Sequence, residues 1–92
     1  MSLPVQIAGE WSGALEQLEG LQLRLASPKA FPPGQPLSLR VSTGNATVHL
    51  EARTIGSKRR DDTSFELRVR LINLRKDVRE ALDRALASVE RG

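Results

Sequence analysis

Ninety-two residues without a cysteine make one small domain, spanning 1–92, and exclude disulfides, thiol chemistry and cysteine-based zinc sites. The net charge of +3, from 14 basic and 11 acidic residues, is mild for a committed nucleic-acid binder, and Trp11, Phe31 and Phe65 are few and scattered as stacking platforms. No apolar run approaches the ~18–20 residues of a membrane-spanning helix, MSLP is too short for a targeting peptide, and the lack of cysteine suits a reducing cytoplasm.

In chain order, VQIAGEW (Val5 to Trp11) alternates loosely and reads as a first strand, with a break at Ser12-Gly13. Ala14 to Glu19 has a helix-favouring composition but is too short and lies between glycines, so it reads as a strand end and a turn closing at Gly20. Leu21, Leu23 and Leu25 alternate with Gln22 and Arg24 as a clear strand. SPKAFPPGQP, Ser27 to Pro36, excludes regular structure, and its Pro33-Gly34 step is a turn: proline sets φ and glycine tolerates φ > 0.

Leu37, Leu39 and Val41 mark the next strand, and Thr43-Gly44-Asn45-Ala46 is a tight hairpin signal. Thr47 to Ile55 returns with Val48, Leu50 and Ala52 inward and His49, Glu51 and Arg53 outward. Gly56 to Thr63 reads as a polar hairpin loop. Phe65, Leu67, Val69 and Leu71 then alternate with Glu66, Arg68 and Arg70, after which the apolar period lengthens to helical spacing. Leu74, Val78, Ala81, Leu82, Ala85, Leu86 and Val89 form the inner stripe of a helix at about 75–90, with Asn73 or Asp77 as its cap and Glu80–Arg84 as an i,i+4 pair.

Five or six short strands with turn signals every ~8–12 residues indicate an all-β barrel or sandwich, and closure into a barrel removes exposed edges at this size. The fold expected is a mainly β, six-stranded antiparallel barrel with a C-terminal α-helix.

Little in the chain carries catalytic chemistry. The sole histidine, His49, has no partners at metal-ligand spacing, and it reads as an exposed strand residue. Asp61-Asp62 follows Lys58-Arg59-Arg60 and reads as self-neutralising loop charge. Neither GxSxG nor a glycine-rich phosphate loop is present. The expectation is a non-enzyme with no cofactor and no metal. The basic side chains remain: Arg24, Arg40, Arg53, Arg68 and Arg70 occupy outward strand positions, and neighbouring strands lie about 5 Å apart, so several could align into one face. Together with Lys58, Arg59 and Arg60 they are the candidates for ligand or partner binding, against the plainer reading of a solvated exterior interspersed with Glu51 and Glu66. Arginine's planar fork suits a phosphate or a carboxylate.

The order of strands, FPPGQPLSLRV entering a strand, and SFELRVRLINLRKDVREALDRAL closing the chain resemble the bacterial PilZ domain from about Val5 to Leu86. The resemblance implies a β-barrel ending in a strand and helix, in signalling linked to cyclic di-GMP. PilZ domains that bind this dinucleotide usually carry RxxxR before the first strand, where this chain reads MSLPVQ, and [DN]xSxxG after it. At that second motif Leu15 replaces the acidic or amide residue and Gln17 the serine, and Gly20 alone retains the turn position. The resemblance therefore implies a non-catalytic adaptor or regulatory domain whose partner is another protein of a bacterial signalling or surface-motility system, such as pili. The alternatives are cyclic di-GMP held by non-standard arginines and, less favoured, a nucleic-acid-binding small barrel.

Overall fold

The computed structural model describes residues 3–44 and 46–91, with side chains in the helix described to residue 88. Six strands, β1 (Leu3–Ile7), β2 (Trp11–Glu19), β3 (Gln22–Ser27), β4 (Pro36–Ser42), β5 (Thr47–Arg59) and β6 (Phe65–Ile72), precede one helix, α1 (Lys76–Arg91). The strands close into an antiparallel barrel in the order β1-β2-β3-β6-β5-β4. Every strand therefore has two hydrogen-bonded neighbours, and no edge is left to template aggregation.

Period-two alternation fills the interior. Val5, Ile7, Leu15, Leu23, Leu25, Leu39, Val41, Ala52, Leu67 and Val69 are buried, while the residues between them along each strand are partly or fully exposed. One end of the barrel is closed by α1, which packs on β1 and β2 and drives Leu82 and Ala85 into the core. Phe31, carried by the β3–β4 loop, is buried at 4% exposure. It is locked by a reciprocal pair: Ser57 Oγ accepts from Phe31 N and donates to Phe31 O, each at 2.9 Å. Lys29 Nζ lies 5.0 Å from the Trp11 ring centroid and 5.6 Å from that of Phe31, within cation–π range of both.

Several local expectations change. The break between the first two strands falls at Ala8–Glu10, not at Ser12-Gly13, and Ala14–Glu19 is strand throughout. Gly13 sits mid-strand because β3 passes close by: a Cβ there would run into the Ala26 carbonyl oxygen. β5 does not end at Ile55. It bulges there, and its extension through Lys58 and Arg59 pairs with Glu66 and Phe65 of β6, so the hairpin loop shrinks to Arg60–Ser64.

At the start of α1 neither Asn73 nor Asp77 caps the helix. Asn73 has φ 53° and redirects the chain, and Arg75 supplies the first helical carbonyl, to Arg79 N at 3.0 Å. The i,i+4 ion pair that forms is Arg79–Asp83 at 3.7 Å, in place of Glu80–Arg84, and Arg79 also donates from Nη1 to Gly20 O at 2.8 Å. The Pro33-Gly34 turn forms with Gly34 at φ 85°. Asn45 of the β4–β5 hairpin and the Val89 side chain lie outside the described residues.

Candidate functional site

The barrel exterior over β2, β3, β6 and β5 collects most of the chain's outward arginines. Register decides which ones meet. Arg24 on β3 stands directly opposite Arg68 on β6, and Arg70 on β6 directly opposite Arg53 on β5. Opposed residues on paired strands have Cβ atoms about 4.5–5.5 Å apart, so each pairing sets like charges side by side, an arrangement that works against stability.

Two glutamates answer part of this charge. Glu16 is the extra residue of a bulge in β2, where the β2–β3 register shifts between Leu15 and Gln17. The bulge turns Glu16 to the exterior, where Arg60 from the β5–β6 loop clamps it with both terminal guanidinium nitrogens, Nη1 donating to Oε2 at 2.8 Å and Nη2 to Oε1. The hydrogen bond from Arg60 leads in holding the Glu16 carboxyl below its ordinary range, against some desolvation, and the same pairing raises Arg60. Glu66 receives Arg60 Nη2 at 3.4 Å and Arg68 Nε at 3.2 Å. Desolvation pushes its carboxyl up, but the Arg60 hydrogen bond and the Arg68 charge outweigh it, and the net direction is down.

The rest of the cationic charge is less well matched. Arg24 Nε is shielded from water and has no hydrogen-bond partner, the Glu16 Oε1 atom being 3.7 Å away. Arg53 donates from Nη1 to Gly34 O at 3.0 Å, which fixes its head over the β4 entrance without neutralising it. Arg70 makes no ion pair among the described residues. A crease of about 100 Å³, lined by Gln17, Glu19, Gln22, Leu23, Arg24 and Arg68, runs along this face.

Of the basic residues picked from sequence, Arg24, Arg53, Arg68 and Arg70 come together. Arg40 does not: it faces His49 on β5 and Gln6 on β1, round the barrel from the cluster. Lys58 stands opposite Glu66, Arg59 turns to its own hairpin (Asp62 at 3.9 Å), and Arg60 is engaged by carboxylates. Gly20 holds φ 60° in the β2–β3 turn, a conformation costly for a side chain. The sequence reading missed Glu16. Its signal was the three-residue spacing of Leu15 and Leu18, both packed on the core, which period two does not allow without an inserted residue. Ile55, left 43% exposed by the β5 bulge, was missed likewise.

Among the described residues no group of three or more histidines or carboxylates could hold a metal ion, and no helix is long and apolar enough to cross a membrane. Fold and face together define a helix-capped, six-stranded antiparallel barrel with an arginine-rich exterior. The family model of the PilZ domain matches residues 17–88, and the chain belongs to the PilZ family. That family works in cyclic di-GMP-linked signalling and is generally non-catalytic. No curated protein and no solved structure matches the chain.

Proposed function

We infer that this PilZ chain is an adaptor or regulatory unit that acts by contacting another protein and does not bind cyclic di-GMP through the family's usual motif positions. One observation carries the reading. Leu15, at the motif position where nucleotide-binding members have an acidic or amide side chain, is fully buried in the barrel core at 0% exposure. A buried leucine has neither a hydrogen-bonding atom nor access to a ligand, and a polar group in its place would be costly inside the core. The setting is a bacterial cytoplasmic pathway such as pilus function or surface motility, with residues 1–92 acting as one unit.

A second reading has support from Arg24, whose sheltered Nε lacks an acceptor: cyclic di-GMP would then sit on the exterior arginines, away from the standard contacts. Nucleic acid is less favoured, because the arginine face offers no aromatic platform. The adaptor reading is tested by capture from a bacterial lysate with wild type beside the Arg68→Glu, Arg70→Glu double variant, circular dichroism confirming that both fold. Loss of specific proteins from the variant's set is expected, and identical sets would remove this face from the account.

A further inference from the structure

The arginine face has a repeat as well as a charge. Arg24 and Arg68 form one cross-strand row, and Arg70 and Arg53 form the next. Arg68 and Arg70 are two residues apart on β6, so the rows are separated by roughly 6.6–6.8 Å along the strand. That is also the distance between side chains i and i+2 of any extended chain. On β5, between Arg53 and the residue facing Arg68, the bulge presents Ile55 outward at 43% exposure. The residue facing Arg68 is Gly56, which has no side chain, and nothing lies within 4 Å of where its Cβ would be. An exposed isoleucine beside an open notch thus lies within a field of arginines.

Charge and shape limit the occupant. Over β2, β3, β5, β6 and the β5–β6 loop the charges nearly balance, but Arg24, Arg68, Arg70 and Arg53 stand together in two adjacent rows whose only ion pairs among the described residues are those to Glu16 and Glu66, so the complement of the rows themselves is acidic. A phosphodiester backbone has no use for an apolar side chain in the middle of its site, whereas a peptide does.

We propose that this face binds an extended acidic segment of a partner protein, with carboxylates at alternate positions, on one face of the segment, paired to the two arginine rows and its backbone lying across Ile55 at the Gly56 notch. The inference rests on the adaptor reading and specifies the chemistry of its partner. Arg70 and Arg53 are the anchors, having no carboxylate of their own to exchange, and Arg68 shares Glu66 with Arg60 and so contributes less.

The test is fluorescence anisotropy with two labelled synthetic peptides of equal composition. One has glutamate at every second position with a serine between, and the other has its glutamates contiguous at one end. The alternating peptide is expected to bind wild type about tenfold tighter than the contiguous one, and Arg70→Gln to remove most of that advantage. Ile55→Ser should weaken the alternating peptide while leaving the salt dependence of its binding unchanged, since no ion contact is lost. Arg84→Gln, the same charge change on the helix, should leave binding as in wild type. Equal binding of the two peptides, absence of binding by both, or equal losses from Arg84→Gln and Arg70→Gln would overturn the proposal. A parallel titration with cyclic di-GMP separates the two levels of the account. Submicromolar nucleotide binding defeats the adaptor reading, and peptide failure without nucleotide binding defeats the segment alone.

Discussion

Arg60 and Arg70 show two opposite uses of the same residue type. Arg60 is clamped to Glu16 and shared with Glu66, closing the β5–β6 loop onto the β2 bulge. Both carboxyls lie below their ordinary value of 4.5 in the folded chain, so the stability they contribute is present above that pH and is lost as the pH falls through their lowered native values. Thermal melts across pH should therefore be flat from neutrality toward pH 4.5 and fall below it, and Arg60→Gln should make that acid-side fall shallower. At neutral pH the variant should lose about 1 kcal/mol, the upper range for exposed pairs. An unchanged acid limb in the variant would show that the network does not couple to folding. Arg70 faces Arg53 with no ion pair of its own among the described residues. Removing its charge relieves repulsion, so Arg70→Gln is expected to raise stability by a few tenths of a kcal/mol, roughly the lower end of cross-strand pair energies. A clear loss by chemical denaturation would mean that Arg70 is held by contacts that stabilise the fold. A stabilising change at an arginine is what a surface kept for binding would give.

At the scale of elements, α1 and β2 carry the barrel's closure. Leu82 is fully buried where the helix meets the core, and Leu82→Ala should cost about 2–5 kcal/mol, a Tm drop of ~10 °C or more. A melting temperature equal to wild type would mean that the helix is not packed on the barrel. Gly13→Ala should cost about 1–3 kcal/mol by pushing β2 from β3 at the Ala26 carbonyl, read as a lower denaturant midpoint. A midpoint as in wild type would show that β2 can shift at no cost. The strand–helix switch at Ile72–Leu74 was legible because its hydrophobic period changes there, and the alternation of β4, β6 and Leu23–Leu25 of β3 was equally plain, but Leu21, expected to begin that strand, falls in the β2–β3 turn at 42% exposure. β2 was not. Its bulge at Glu16 breaks the period, and Gly13 looks like a turn residue unless the close approach of β3 is known. β5 hid its last residues for a similar reason: after the bulge at Ile55 the inward position passes to Ser57, and GSKR carries no apolar residue to mark a strand.

For the whole molecule, sequence supplied the outward arginines, but barrel closure decided which of them share a face. Arg24 and Arg53 are far apart in the chain and lie on either side of β6, whereas Arg40 is carried away by β4's pairing with β1. Strand order and register are long-range facts that no local pattern records, and so the Arg24–Arg68 and Arg70–Arg53 rows could not be read beforehand. Membership of the PilZ family makes cyclic di-GMP the ligand to test, while Leu15 in the core and Gln17 at the serine position argue that this barrel does not hold it in the usual way. Isothermal titration of the folded chain with cyclic di-GMP tests this most directly. The account predicts no binding tighter than about 10 μM, which corresponds to roughly −7 kcal/mol. A stoichiometric isotherm with submicromolar affinity would contradict it and return the exterior arginines to the nucleotide.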